Sequence, residues 1–194
     1  MLLAAAGLIG APAGWIATDR LERNNDFCNA CHLAPQRPLH QEIREVFDGR
    51  PPTSLAAAHA AAGVRGRSDP IFHCIDCHAG SGLLGRARVK ALAGKDALFY
   101  VMGRFEEPKA MRFPLWDSDC TKCHARFDLS DRRQNQDAGA SPFHSLPVHN
   151  SNLGVACVEC HTAHAVGAEA DASFLNADHL RTQCARCHSE FAGP

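Results

Sequence analysis

The chain has 194 residues, with 10 Cys and 12 His against 1 Tyr and 2 Trp, and 20 basic side chains against 21 acidic ones. A formal charge of −1 carries no bias toward polyanions, which argues against nucleic acid as a partner. Aromatic residues make up only 7%, too few large side chains for a protein-only core, so another group is expected to fill the interior.

Residues 1–18 (MLLAAAGLIGAPAGWIAT) contain no charged side chain, and charges begin at once with Asp19, Arg20, Glu22 and Arg23. As a helix this run would measure about 27 Å, near the roughly 30 Å of a bilayer's hydrocarbon core. An N-terminal transmembrane anchor over residues 1–18 is expected. The rival is a secretory signal peptide, since Ala11-Pro12-Ala13 resembles a cleavage site, although no basic segment precedes the apolar run.

Cys28-Asn-Ala-Cys31-His32 follows directly, and the same pattern recurs at Cys74-Ile-Asp-Cys77-His78, Cys120-Thr-Lys-Cys123-His124, Cys157-Val-Glu-Cys160-His161 and Cys184-Ala-Arg-Cys187-His188. The five copies use every cysteine in the chain. C-x-x-C-H attaches c-type haem: two thiols form thioethers to one porphyrin, and the adjacent His ligates the iron. Zinc ribbons, iron–sulfur clusters and a disulfide framework are weaker readings, because a His follows every second Cys. Five covalently bound haem c groups are expected, with their maturation outside the cytoplasm. So few residues per haem imply a mainly α chain with extensive irregular loops, built around a haem-packed core.

Between the motifs, residues 38–47 are expected to be helical, with Leu39, Ile43, Val46 and Phe47 on one face. Residues 54–62 are Ala-rich, with Ser54 as N-cap and Gly63 as stop. Residues 83–102 form the longest helical candidate and carry Arg86, Arg88, Lys90 and Lys95 against Asp96 alone. Residues 127–142 are polar and turn-rich and read as a surface loop. The motif starts are unequally spaced, so the chain is no fixed-period array.

Seven His lie outside the motifs: His40, His59, His73, His144, His149, His164 and His179. They suffice to close the sixth position of every iron, which suits electron transfer rather than chemistry on a bound substrate. His59, His149, His164 and His179 are the preferred distal ligands beside the proximal His32, His78, His124, His161 and His188. His73, His144 and His40 rank below them.

An anchor, then Phe27-Cys28-x-x-Cys31-His32, then His59…Gly63-Val64-Arg65…Cys74-x-Asp76-Cys77-His78, resembles the NapC/NirT family of membrane-anchored multihaem cytochromes. The resemblance runs on through the basic helix, the third motif and Cys157-x-x-Cys160-His161…His164, and covers about residues 1–167. It implies an anchor over 1–18 and a four-haem domain over 19–167, from which the fifth-haem extension over 168–194 departs. The family's activity implies oxidation of membrane quinol and delivery of electrons to a periplasmic redox partner, from the periplasmic side of the bacterial inner membrane. The family's Lys and acid after the second haem fall on Lys90 and Asp96, which the resemblance makes the catalytic pair: Lys bonding a quinol oxygen, a carboxylate taking the proton. Where the family often has an axial Met after the first motif, Leu33, Ala34 and Pro35 stand here.

Three functions follow as expectations. The first is a quinol dehydrogenase held on the lipid bilayer. The second is a non-enzymatic electron wire within a larger respiratory or photosynthetic complex. The third is a haem enzyme acting on small nitrogen or sulfur compounds, which requires one open iron.

Overall fold

The structure is a computed structural model of the full chain. It describes residues 2–34, 37–38, 40–106, 115–125, 144, 155–166, 174–175 and 177–192. The described chain is mainly helical: α1 (Leu2–Leu21), α2 (Asn25–Cys28), α3 (Gln41–Asp48), α4 (Leu55–Ala62), α5 (Cys74–His78), α6 (Gly82–Val101), α7 (Asp117–Thr121), α8 (Cys157–Cys160) and α9 (Ala177–Cys184). A small antiparallel ribbon pairs β1 (His32–Ala34) with β2 (Arg37–Pro38), aligning His32 with Pro38 and Ala34 with Arg37.

Local chemistry accounts for the borders. The helix expected over 38–47 begins later, at Gln41, because Pro38 belongs to the ribbon and His40 takes a left-handed turn at φ 60°. Ser54 caps α4 by accepting the Ala57 N–H at 3.2 Å. Gly63 ends α4 at φ 67°, where a Cβ would meet Pro70 O at 2.5 Å, so only glycine fits the stop. The basic helix is α6, within one residue of expectation at each end. The expected loop over 127–142 lies outside the described residues.

The N-terminal expectation needs correction. Residues 2–21 do form a helix, but no helix among the described residues is long and apolar enough to cross a membrane. A crossing needs about 20 predominantly apolar residues. α1 devotes six positions to Ala and three to Gly, holds Pro12 inside, and closes on Asp19 and Arg20. Absence of charge over 1–18 is a weaker criterion than hydropathy, and the expected transmembrane helix is not found among the described residues.

The apolar interior is thin. Among the described residues the buried hydrophobic side chains are Phe47, Ala57, Phe72 and Phe174. What organises the fold is a succession of short motif helices: α2 packs on α5, α5 on α7, α7 on α8 and α8 on α9. Each contributes little buried area, so their mutual positions depend on directed polar contacts.

Candidate functional site

The first cysteine of a motif begins, ends or nearly ends a short helical turn, and the motif His returns onto it. The N–H of His124 donates to Cys120 O at 3.0 Å, that of His161 to Cys157 O at 2.9 Å, and that of His188 to Cys184 O at 2.9 Å. In motif two, α5 runs from Cys74 to His78 itself. One turn of helix thus brings both thiols and the imidazole of each of these motifs to one local surface, as one porphyrin requires. All ten cysteines are free of disulfides.

The motifs meet in chain order. The thiols of Cys28 and Cys74 share a hydrogen bond, which raises the first and lowers the second to about 7. Burial, then the neighbouring Cys120, pushes Cys77 up to about 11. Cys120 and Cys157 share a second thiol contact, lowering Cys120 and raising Cys157. Burial, then Cys184, raises Cys160. Arg186 of motif five reaches Glu159 of motif four at 3.1 Å.

Backbone donors are held by equivalent residues in the two halves. Asn25 and Asp117 stand three residues before Cys28 and Cys120, and their side chains accept the N–H of Cys74 and of Cys157, both at 2.8 Å. Carboxylates close the motif helices as well: Asp76 Oδ2 accepts the His73 N–H at 2.8 Å, Asp119 Oδ2 the Trp116 N–H at 3.0 Å, and Glu159 Oε1 the Ala156 N–H at 3.2 Å.

Three pairs of imidazoles fit axial ligation. Metal–imidazole bonds of about 2.0–2.1 Å on both faces of one iron set the ring centroids roughly 6 Å apart. His78 and His164 stand 6.1 Å apart, His144 and His161 6.0 Å, and His59 and His124 5.9 Å. The first two pairs are near-parallel and the third near-perpendicular, and any such angle is compatible because each ring plane contains the metal–nitrogen axis. Burial lowers His78 to about 4 and also lowers His164 and His144, which favours the neutral form a metal needs. His59 Nδ1 lies 2.9 Å from Leu55 O. A carbonyl only accepts, so Nδ1 carries the proton and Nε2 keeps its lone pair for iron. His188 Nδ1 is matched in the same way by Glu190 Oε1 at 3.1 Å.

The donor set therefore fits haem. Cys74, Cys77 and His78 with His164, Cys120, Cys123 and His124 with His59, and Cys157, Cys160 and His161 with His144 would each hold one group. Among the described residues no group of three or more His, Cys, Asp or Glu is arranged to hold a metal ion. A haem iron asks only two axial ligands of the protein, because the porphyrin supplies four. The side chains of His32 and His179, and the whole of His149, lie outside the described residues. His144, ranked low by sequence, takes the position facing His161. His73 is buried between Asp69 and Asp76, its ring nitrogens 3.8 and 3.7 Å from their carboxylates.

Lys90 and Asp96 are not brought together. Six residues apart on one helix, they stand about 120° apart around its axis and about 9 Å along it. Lys90 Nζ contacts Thr18 Oγ1 at 2.6 Å, Glu22 Oε2 at 2.9 Å and Asp19 Oδ1 at 2.9 Å, with the Trp15 ring 5.7 Å away. Arg86 binds both of these carboxylates from one turn earlier. Lys90 and Arg86 hold Asp19 below its ordinary value. Asp96 instead lines an open hollow of about 270 Å³ with Lys95, Phe99, Arg104, Phe105 and Glu106. Sequence reasoning missed Glu22, Asp19 and Thr18 because their distance from Lys90 along the chain leaves no local pattern. No family model, curated protein or solved structure matches this chain.

Proposed function

We propose that the chain is an exported pentahaem c-type cytochrome that relays electrons between a donor at the membrane and an acceptor protein outside the cytoplasm. The observation that carries this reading is the unbroken succession of motif helices, α2 packed on α5, α5 on α7, α7 on α8 and α8 on α9. Each bound haem would supply one-electron redox capacity, and the chain's own part is to hold the five sites in contact order. The facing imidazoles at three motifs support closed, six-coordinate iron and so favour relay over chemistry on a small substrate.

Membrane quinol is the donor that the NapC/NirT resemblance suggests. Lys90 is the residue to which the quinol oxygen would be bonded, and Glu22 and Asp19 are the carboxylates beside it. The saturation of Lys90 by those two carboxylates favours a second reading, in which the chain is the electron wire of a larger complex and another subunit oxidises quinol. Mass analysis of the purified protein tests the haem count, and fewer than five haem additions refutes the pentahaem reading. Adding quinol to the oxidised protein separates the donors: haem reduction that slows in Lys90→Ala, with dithionite reduction intact, supports the quinol site. No reduction by quinol leaves the wire.

A further inference from the structure

Helix α6 has three sides, and two have partners among the described residues. On one side Gly85 packs against Trp116, whose ring also carries the Arg88 guanidinium at 4.7 Å. On a second side Arg86 and Lys90 bind the carboxylates of Asp19 and Glu22. At about 100° per residue, Leu83, Leu84, Leu98, Val101 and Met102 fall together on the remaining side, within about 100° of arc. Their exposures are 78%, 86%, 59%, 82% and 51%. Between the two ends of this stripe lie Ala91 and Gly94, also exposed. From Leu83 to Val101 it runs for about 27 Å.

Charge selects the occupant. The stripe offers no hydrogen-bonding side chain, so what covers it must be apolar. One flank carries the exposed Arg88 and Lys95, the charges of Arg86 and Lys90 on the other are matched by Asp19 and Glu22, and Asp96, the one acid of α6, lies away from the Arg88 and Lys95 flank. An apolar phase with a negatively charged rim meets both requirements, and an anionic phospholipid surface is such a phase. We propose that the apolar stripe of α6 lies in the headgroup boundary of an anionic bilayer, with the helix parallel to the membrane plane. This attachment lies on the membrane without crossing it, and it does not depend on quinol being the donor.

The test is flotation of the haem-loaded protein with vesicles of phosphatidylcholine alone or mixed with phosphatidylglycerol. The wild type should float with the anionic vesicles and be released by salt. Leu84→Glu and Leu98→Glu should each weaken binding by about tenfold or more, since each removes a buried leucine and adds a like-signed charge. Lys95→Glu should reduce the preference for anionic vesicles without changing the haem spectrum. Leu84→Gln, milder in charge, guards against misfolding, and an unaltered haem spectrum qualifies each variant. Absence of wild-type binding to either vesicle overturns the proposal, as does undiminished binding by both leucine variants, because another surface then makes the attachment. Self-association of the wild type that the leucine variants abolish, without vesicle binding, assigns the stripe to a protein interface and overturns it equally.

Discussion

The Asn25 side chain accepts the backbone N–H of Cys74 at 2.8 Å across 49 residues, and its amide reaches Phe72 O at 3.4 Å. Asn25 is itself buried. The relation is repeated by Asp117 and Cys157 across 40 residues. In both cases the residue three before the first cysteine of one motif orients the first cysteine of the next. The unequal motif spacing hides this repeat, because the loops between motifs differ while the contacts that join them agree.

Asn25→Ala and Asp117→Ala should each destabilise the protein by about 0.5–2 kcal/mol, the range for losing a side chain that caps a helical N–H. For a chain of this size each kcal/mol corresponds to about 2–4 °C in Tm. Asp117→Asn keeps the acceptor and should recover most of the loss. Thermal unfolding of the haem-loaded variants measures both. If alanine at either position leaves Tm unchanged, that hydrogen bond does not set the pairing.

The imidazole pairs predict which His substitutions open an iron. His164→Ala, His59→Ala and His144→Ala should each produce a high-spin ferric signal in the electron paramagnetic resonance spectrum, because each removes the ring facing a motif His. His73→Ala should produce none, since His73 faces Asp69 and Asp76 instead. A low-spin spectrum in His144→Ala would return the fourth motif to His149.

The motifs, the Ser54 cap, the Gly63 stop and the basic helix were legible because each is a local pattern read within a few residues. The choice between His144 and His149 was not. Both precede Cys157, His144 stands 6.0 Å from His161 in the fold, and His149 lies outside the described residues. The partners of Lys90 were hidden for the same reason: Glu22 lies 68 residues away, and a charged residue just after an apolar run carries no sign of its partner. The N-terminal run misled in the opposite direction. Eighteen uncharged residues have the length of a membrane span, but alanine and glycine contribute much less transfer free energy than leucine.

The attachment of α1 to α6 should depend on acid. Lys90 and Arg86 depress the Asp19 carboxyl below its ordinary 3.8. A carboxylate with a depressed folded value stabilises fully above its unfolded value, and that contribution fades as pH falls through the folded one. Asp19→Asn should therefore lower Tm at neutral pH. The difference from wild type should shrink as pH falls below about 3.8. A difference that is constant from pH 7 to pH 3 would mean that the Asp19 charge contributes nothing to the link.

Gly80 governs how α6 leaves the second motif. Its φ of 76° lies in the left-handed region, and an added Cβ would stand 2.5 Å from both the carbonyl carbon and oxygen of Gly85. Gly82 shares a positive φ, 66°, but a Cβ there meets nothing within 4 Å. The two glycines thus separate conformational strain from collision. Gly82→Ala incurs only the left-handed cost of about 1–2 kcal/mol. Gly80→Ala incurs that cost and also forces backbone against backbone, where no flexible side chain can yield. The Gly80→Ala loss should exceed that of Gly82→Ala, and it should displace α6 from α1, since Gly85 lies directly before Arg86, which with Lys90 one turn later binds Asp19 and Glu22. Thermal unfolding gives the two losses. Tm values for Lys90→Ala with and without Gly80→Ala test the displacement, because the Lys90 contribution should vanish in the Gly80→Ala background. Equal losses at the two glycines, or an undiminished Lys90 contribution, would show that the close approach of Gly80 to Gly85 does not set the direction of α6.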